Sequence, residues 1–499
     1  MTSATVSPRA KYLILAAACL LLLIQAATLL PVRWVEDESW YSIAAHTLAT
    51  TGELRMPVFA EGANTARVDT RPPLTAMLMA GVFKLAGTSL YSAKLPFLLA
   101  GVIAILLTYL LGCEIGGVWV GLIGAMALAT DNLFFLATRT ARPETLASSF
   151  AILGILLFLY SQRLDSPQLA FFSGLVVGLG SVAHLNAFAA AISAGVLAIL
   201  EFRWAVLRRA RPWWFVAGLL LPIAVFLGWA LSDAVHRAEF VRMYAYGEGG
   251  TLADIPHREL VRYRDFLGFS SFRVKLPIQV PMRLHIALAL LFSAGALYRY
   301  NRKLLGKIGC LILPAMAWWA YERNATPRYI ATGSAYLALL ISGAAVALIE
   351  FKPRWRKAVT AVAALMLLSQ VAGNFLLLYT YRQANYQTVT RQLREIIPAK
   401  ATVYGAITFW MALCDHPYYS WNRTPVQYAV DRGASYLILN DRVLLHGSGY
   451  GEDNWVEVRE SANAFVAKHA VLAGRVNNSY YGDLEIYRVA TAERVTADR

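Results

Sequence analysis

The chain has 499 residues, of which 58% are hydrophobic and only 15% are charged, and its formal net charge is +15. Ordinary soluble proteins of this size do not carry so much apolar surface, so the composition excludes that class and indicates an integral membrane protein. A nucleic-acid-binding protein needs a solvated basic patch with stacking aromatic side chains. Here much of the positive charge lies in short loops between apolar runs, a pattern typical of membrane topology.

The first apolar run extends from Tyr12 to Val32 and has Gln25 as its one strongly polar residue. At a rise of about 1.5 Å per residue, such a helix crosses a hydrocarbon core of about 30 Å. The run is too long for the apolar core of a signal peptide, so we expect a retained transmembrane helix. The same pattern predicts eleven membrane helices, at residues 12–32, 95–112, 118–136, 146–160, 169–183, 187–202, 213–231, 284–298, 308–321, 329–349 and 358–380.

The segment 33–94 follows the first predicted helix and opens with two adjacent acids, Asp37 and Glu38. Apolar periodicity predicts two short amphipathic helices in it, at about 38–50 and 74–86, lying at the membrane surface. Acids near a helix end are often only polar end residues or partners of the helix dipole. Their position alone therefore does not assign them a role.

Basic residues set the orientation of the predicted helices. They cluster at Arg203–Arg211, Arg299–Lys307 and Lys352–Lys357, and cytoplasmic loops are enriched in such residues. All three clusters face the cytoplasm if the N-terminus is inside and if 169–202 forms two short helices broken near His184–Asn186. The opposite, outer face then receives the segments 33–94, 138–145, 232–283 and 322–328 and the tail of the chain.

The long apolar runs end near residue 382. We therefore predict a membrane domain over 1–382 and a small extracytoplasmic α/β domain over 383–499. The apolar pattern of this tail predicts helices at 386–397 and 461–472 and strands at 401–410, 434–441 and 484–489.

Charged and aromatic residues gather in four clusters on the predicted outer face. The clusters are Asp37–Glu38 with Trp40 and Tyr41, "DTRPPL" at 69–74, "RTARPE" at 139–144 and "ERNATPRY" at 322–329. Charged residues near a bilayer are costly and indicate function by default. A carboxylate can accept the proton of an attacking hydroxyl group, and arginines can bind a phosphate bidentately. A lone arginine at a helix end is more often a lipid contact, and Glu144 alone could be a partner of its helix dipole.

In chain order, "DESWY", "TRPPL", "KLP", "RTARPE" and "ATPRY" resemble the membrane glycosyltransferases of the C-type fold. The resemblance is to the superfamily of protein O-mannosyltransferases and lipid A aminoarabinose transferases, with its RgtA-like members. It covers residues 12–350 and is most specific over 33–145. It implies a polytopic α-helical membrane protein that uses a polyprenyl-phosphate-linked sugar as donor and works on the outer face of the membrane.

The resemblance also implies the roles of individual residues. Asp37 becomes the general base, and Glu144 matches the second acidic motif of the family. Relatives often carry lysine or histidine at the position of Arg71, and Lys-Gly at the position of "HLN" at 184–186. The expected site consists of the catalytic Asp37 and Glu144, the phosphate-binding Arg71, Arg142 and Arg328, and the substrate-contacting Glu38, Tyr41 and Tyr329.

The combined interpretation is an inverting glycosyltransferase of the cell membrane that acts on a hydroxyl group of an envelope glycolipid, polysaccharide or protein. Membrane lipids are expected partners and nucleic acid is not. A divalent metal ion stays open as a cofactor, because carboxylates near a phosphate can act as metal ligands or as bases. Two other classes stay open: a transporter, which places ionisable groups near the membrane midplane on repeated helices, and a cell-envelope scaffold without catalytic activity.

The first prediction concerns topology. A reporter enzyme that works only outside the cytoplasm, fused after Arg382, should be active, because the three basic clusters require the cytoplasmic face. A cytoplasm-specific reporter at the same position should be silent. Activity of the cytoplasmic reporter there would reverse the orientation and place the acids on the wrong side of the membrane.

Overall fold

A computed structural model describes residues 7–28, 30–60, 66–68, 71–245, 252–266, 284–321, 327–421, 424–440 and 452–490. This part of the chain is mostly helical. The apolar helices are Pro8–Ala27, Leu90–Gly116, Val118–Thr130, Asn132–Thr138, Glu144–Arg163, Pro167–Ala183, Ala189–Phe202, Ala210–Ala230, Leu284–Tyr300, Arg302–Tyr321, Ser334–Phe351 and Arg356–Tyr381.

The remaining α-helices lie between or after these elements, and one of them, Leu74–Ala86, is a short apolar helix. They are Glu36–Thr51, Leu74–Ala86, Ala234–Ala245, Ile255–Phe266, Tyr386–Ile396, Val426–Asp431 and Glu452–His469. Short 3-10 helices occur at Leu185–Phe188, Arg203–Arg208, Leu252–Asp254, Pro327–Gly333, Pro353–Trp355 and Ile407–Leu413.

Helices, one of them broken, occupy each of the eleven predicted apolar positions. Within the described residues, seven helices are long and apolar enough to cross a membrane, or eight if one bent pair counts as a single span. The chain is thus a multi-pass α-helical membrane protein, as predicted, while the number of eleven spans stays a prediction. The outer segment 232–283 contains two helices, and its residues 246–251 and 267–283 lie outside the described part.

The first helix ends at Ala27, five residues before the predicted boundary at Val32. Proline lacks an N–H group and disfavours helical backbone in the residue before it, so Pro31 stops the helix although the apolar sequence continues. After Pro31, Val32 forms a bridge with Asn385, and the Arg33 N–H donates to the Ala384 carbonyl at 2.7 Å. The helix Glu36–Thr51 begins directly after this segment.

The helix predicted over 118–136 is present but broken, because the chain bends by 66° between Val118–Thr130 and Asn132–Thr138. Asp131 stands at the break and caps the second piece by accepting a hydrogen bond from the Phe134 N–H at 2.8 Å. Aspartate favours such capping positions over helix interiors. The Asn132 side chain then donates to the Asn374 side chain at 2.6 Å and ties the break to the last membrane helix.

The tail forms a five-stranded mixed sheet with strand order Tyr418–Ser420, Thr402–Gly405, Ala434–Asn440, Gly482–Val489 and Ala470–Asn478. The first three strands are parallel and the last two pair antiparallel. A separate two-stranded hairpin, Arg55–Ala60 with Ala66–Val68, lies in the segment 33–94, which is called the outer segment below.

Two predictions for the tail were wrong. The strand predicted over 401–410 ends at Gly405, and residues 407–413 form a buried 3-10 helix whose aromatic side chains fill the core. The helix predicted over 461–472 ends at His469, and Ala470–Asn478 forms a strand. A tight turn connects this strand to its antiparallel partner, Gly482–Val489. Pairing between the two strands therefore overrides the helical pattern of Val471 and Leu472.

The tail shares one apolar core with the outer segment. This core joins Trp34, Ile43 and Met79 to Val389 and Leu437. The Trp34 N–H donates to the Tyr481 hydroxyl at 2.7 Å, and that hydroxyl donates to the Trp34 carbonyl at 3.0 Å. The tail therefore fixes the backbone immediately before Asp37, while the domain boundary at 382 stays a prediction.

Candidate active site

Arg142 joins two acids from separate parts of the chain. Its Nη1 forms an ion pair with Asp37 Oδ2, while its Nε and Nη2 donate to Glu144 Oε1 at 2.9 and 2.6 Å. The Asp37 side chain is 46% exposed, whereas the Arg142 and Glu144 side chains are 9% and 2% exposed. The arginine is thus anchored on a buried acid and extends to an accessible one.

Local helix geometry explains this arrangement. Asp37 lies in the first turn of Glu36–Thr51, and Glu144 is the first residue of Glu144–Arg163, where carboxylates interact favourably with the helix dipole. Burial works against the charged form of Arg142, but Asp37 and Glu144 outweigh it and hold the guanidinium pKa well above its usual value. Glu144 Oε2 is buried and has no hydrogen-bond partner among the described residues.

Glu38 is fully buried and holds the site together. Its Oε2 accepts the Val35 N–H and its Oε1 accepts the Ala141 N–H, both at 2.9 Å. One carboxylate therefore ties the start of the Asp37 helix to the turn that carries Arg142. The prediction that Glu38 contacts the substrate does not fit this burial, and its contacts give it a positioning role instead.

Lys94, in the helix Leu90–Gly116, contacts Glu38 and the backbone before Asp37. It lies 3.9 Å from Glu38 Oε1 and donates to the carbonyls of Leu30, Val32 and Arg33 at 3.1, 3.1 and 3.0 Å. An ammonium group can satisfy several carbonyls in this way because it has three donors. The motif "KLP" forms part of the resemblance, but no role was predicted for Lys94, because spacing along the chain does not show its contacts with these distant groups.

Arg71 and Tyr41 flank the exposed side of the cluster. Arg71 Nη2 donates to the Trp40 carbonyl at 2.7 Å, and its guanidinium carbon lies 4.7 Å from the Tyr41 ring centroid. Burial raises the pKa of Tyr41 to about 12, with smaller effects from Arg71, Arg142, Glu144 and Asp37. Tyr41 is therefore a neutral donor within electrostatic reach of both arginines and both acids.

His184 and Tyr329 form another wall of the site, with ring centroids 5.4 Å apart. Burial lowers the pKa of His184 to about 4, against an opposing effect of Glu144, so the ring is neutral near pH 7. Its Nδ1 accepts the Asn186 N–H at 3.2 Å, which leaves the proton on Nε2 as a donor. Sequence reasoning treated His184 as a turn residue, because the spacing does not show its proximity to Glu144.

Parts of the predicted site lie outside the described residues. Arg328 belongs to the 3-10 helix Pro327–Gly333, and its side chain lies outside the described part. Residues 69–70 and 322–326 of the two motifs also lie outside it. Arg139 is a further missed residue: it is fully buried over the Tyr381 ring at 4.9 Å, and its guanidinium nitrogens have no hydrogen-bond partner among the described residues.

The donor set for a metal ion is small. Asp37 and Glu144 both face Arg142, and the described residues contain no group of three or more histidine, cysteine or acidic side chains that could hold a metal ion. Whether the protein uses a divalent cofactor is tested below by an assay with a chelator.

Comparison with known proteins places the fold in a structural class. Residues 70–229 match the family described as dolichyl-phosphate-mannose-protein mannosyltransferase. An uncharacterized protein of Aquifex aeolicus is 26% identical over 216 residues, a match that spans 42% of this chain and 42% of that protein. The chain thus aligns with less than half the length of this curated relative.

Two solved structures cover nearly the whole chain. ArnT from Cupriavidus metallidurans bound to undecaprenyl phosphate matches with a TM-score of 0.67 and 13% identity, over 97% of this chain and 99% of that one. The oligosaccharyltransferase of Archaeoglobus fulgidus, tethered to an acceptor peptide, matches with a TM-score of 0.54 and 11% identity, over 98% of this chain and 75% of that one. The chain has the C-type fold of membrane glycosyltransferases, and the resemblance predicted from its motifs is confirmed.

The buried position of Glu38 yields a stability prediction. Glu38→Gln replaces one oxygen that accepts a backbone N–H with an amide that cannot accept it, and it removes the charge opposite Lys94. We expect a loss of about 1–3 kcal/mol in the free energy of unfolding, seen as a lower melting temperature of the detergent-solubilised protein. Glu53→Gln is the control, because that side chain is 58% exposed and its surface ion pair contributes little. Equal melting temperatures of the two variants would contradict the role of Glu38.

Proposed function

We propose that this protein is an inverting glycosyltransferase that moves a sugar from a polyprenyl-phosphate donor to an acceptor hydroxyl group on the outer face of the cell membrane. The observation that carries the proposal is the Asp37–Arg142–Glu144 bridge, in which a half-exposed acid meets an anchored arginine beside Arg71 and Tyr41. The shared fold with ArnT bound to undecaprenyl phosphate supports the class of donor.

The proposal gives Arg142 two positions. In the structure it divides its donors between Asp37 and Glu144. When the donor phosphate arrives, Nη1 turns from Asp37 to a phosphate oxygen while Nε and Nη2 stay on Glu144. Arginine suits this role because its fork of N–H groups can bind two oxyanions at once. Arg71 and Arg328 supply further positive charge to the same phosphate.

The exchange also prepares the base. A carboxylate paired with an arginine is ionised but weakly basic, because the neighbouring positive charge favours the charged form. When Arg142 turns to the phosphate, Asp37 keeps its negative charge and becomes a stronger base. Donor binding and activation of the base are thereby linked through one side chain.

The chemical step then follows. The acceptor oxygen attacks the anomeric carbon from the face opposite the phosphate, and its proton passes to an oxygen of Asp37. The bond between the anomeric carbon and the phosphate oxygen breaks, and the polyprenyl phosphate leaves with the electron pair, stabilised by Arg142 and Arg71. A single displacement of this kind inverts the anomeric centre. Tyr41 and Tyr329 lie where they can contact the sugar.

The two alternative classes have weaker support. A transporter needs ionisable groups along a path near the midplane, whereas the acids and arginines of this site lie at helix ends. A scaffold gives no reason for a partly exposed acid to face an arginine anchored on a buried one. The acceptor is proposed as an envelope glycolipid, polysaccharide or protein, and the tail as a cover over the site.

Asp37→Asn is the direct test of the base. The amide keeps the size of the side chain and removes its basicity, so turnover should fall by about 10²–10⁴-fold with little change in donor binding. Transfer from a radiolabelled polyprenyl-phosphate sugar in membranes measures the rate. The control is Glu53→Gln, on an exposed acid that follows the C-terminus of the helix Glu36–Thr51, which should keep full activity. Unchanged transfer by the Asp37 variant would show that Asp37 is not the base, and absence of transfer by the unmodified protein would favour the scaffold class.

Arg71 is expected to act on donor affinity. Removing its guanidinium in Arg71→Ala should raise the donor KM about tenfold or more, because a hydrogen bond between charged groups is among the stronger ones. Arg71→Lys should recover part of this loss by restoring the charge without the fork. A normal KM for the alanine variant would show that Arg71 does not hold the phosphate.

The same transfer assay with a chelator present tests whether the reaction needs a divalent metal ion.

A further inference from the structure

A groove lies apart from the proposed active site, and its mainly apolar lining carries a few polar and charged side chains. It has a volume of about 580 Å³ and lies between the N-terminus of helix Leu90–Gly116 and helix Tyr386–Ile396 of the tail. Its lining includes Tyr91, Gln387 and Arg391. The Gln387 side-chain amide donates to the Tyr91 hydroxyl at 2.8 Å, so one hydrogen bond crosses the groove from the tail to the membrane helix.

The groove offers groups for a phosphate and for hydroxyls. Arg391 is exposed and has no ion pair in the described part of the chain, while Arg394 is already paired with Asp415 at 2.6 Å. The helix N-terminus at Ser89 adds partial positive charge to the same wall. Glu395 lines the groove as well, and a carboxylate there accepts hydrogen bonds from hydroxyl groups.

An apolar stripe begins at the groove and runs down the membrane helix. Tyr91, a lining residue, is followed on one face by five aliphatic residues that are each 40–50% exposed, namely Leu95, Leu99, Ile103, Leu106 and Leu110. From Tyr91 to Leu110 the helix rises about 28 Å, close to the thickness of a hydrocarbon core. The stripe therefore faces lipid chains, and the groove stands at its water-facing end.

We infer that this groove binds the head group of an anionic, hydroxyl-bearing membrane lipid whose chains lie along the stripe. Arg391 pairs with the lipid phosphate, and Glu395 and Gln387 bind its hydroxyl groups. Because the groove lies between the tail and the membrane helix, such a lipid would also hold these two parts together. The inference does not depend on glycosyl transfer, since none of these residues belongs to the proposed active site.

The test uses the full-length protein in detergent and native mass spectrometry with added phosphatidylglycerol or phosphatidylcholine. Phosphatidylglycerol carries both a phosphate charge and hydroxyl groups, so it should be retained in preference to phosphatidylcholine. Arg391→Glu should lower its retention by about tenfold, because a favourable charge is replaced by a repulsive one. The control Lys468→Glu reverses an exposed charge on helix Glu452–His469, away from the groove lining, and should leave retention unchanged.

Two further measurements distinguish binding of a whole lipid from binding of a phosphate group alone. Inorganic phosphate at matched concentration should not displace the lipid, because it lacks the chains that contact the stripe; full displacement would overturn the inference. Equal retention of the two lipids, or equal loss in the Arg391 and Lys468 variants, would do the same. The Asp37→Asn variant should retain phosphatidylglycerol normally, so a failure of the proposed catalysis is distinguishable from a failure of this site.

Discussion

The site depends on one arginine that satisfies two acids. Arg142 is nearly buried, and a buried guanidinium is stable only if its charge is matched and its N–H groups are bonded. Glu144, which is also buried, provides that match and orients the fork, while Asp37 receives the one arm that points outward. In the proposed function, the contact with Asp37 is the one that the donor phosphate replaces, while the contact with Glu144 is kept.

The backbone around this arginine is held by a second, wholly buried acid. Glu38 joins the first turn of one helix to the turn before another through two backbone N–H groups, and Lys94 faces it from the membrane helix. The tail contributes through Tyr481, whose hydroxyl binds both backbone polar groups of Trp34. Two adjacent acids, Asp37 and Glu38, thus have opposite environments: one is accessible and one supports it.

This division of roles explains why the tail shares a core with the outer segment. The base proposed for Asp37 must be held within a fraction of an ångström, and a segment that has just left a membrane helix has few rigid neighbours of its own. Packing Trp34 and the helix after it against the tail supplies them. The groove between the tail and helix Leu90–Gly116 lies at the edge of the same junction, where a bound lipid would add a further contact.

The sequence by itself determined the membrane class, the positions of the apolar helices and the presence of helices near 38–50 and 74–86, because hydrophobic periodicity is a local property. It also brought Asp37, Arg71, Arg142 and Glu144 forward as a set, through motifs that keep their order along the chain. Helix breaks at Pro31 and Asp131 and the strand at 470–478 were misjudged, since caps, turns and strand pairing competed with the apolar pattern.

Only the tertiary structure decided which residues meet. Neighbouring residues of a helix point in different directions, so the sequence could not show that Asp37 is accessible and Glu38 buried. The roles of Lys94 and His184 likewise follow from contacts between segments distant in the chain. The physical reason is that burial and hydrogen-bond partners belong to the packed arrangement, whereas composition and periodicity belong to each segment alone.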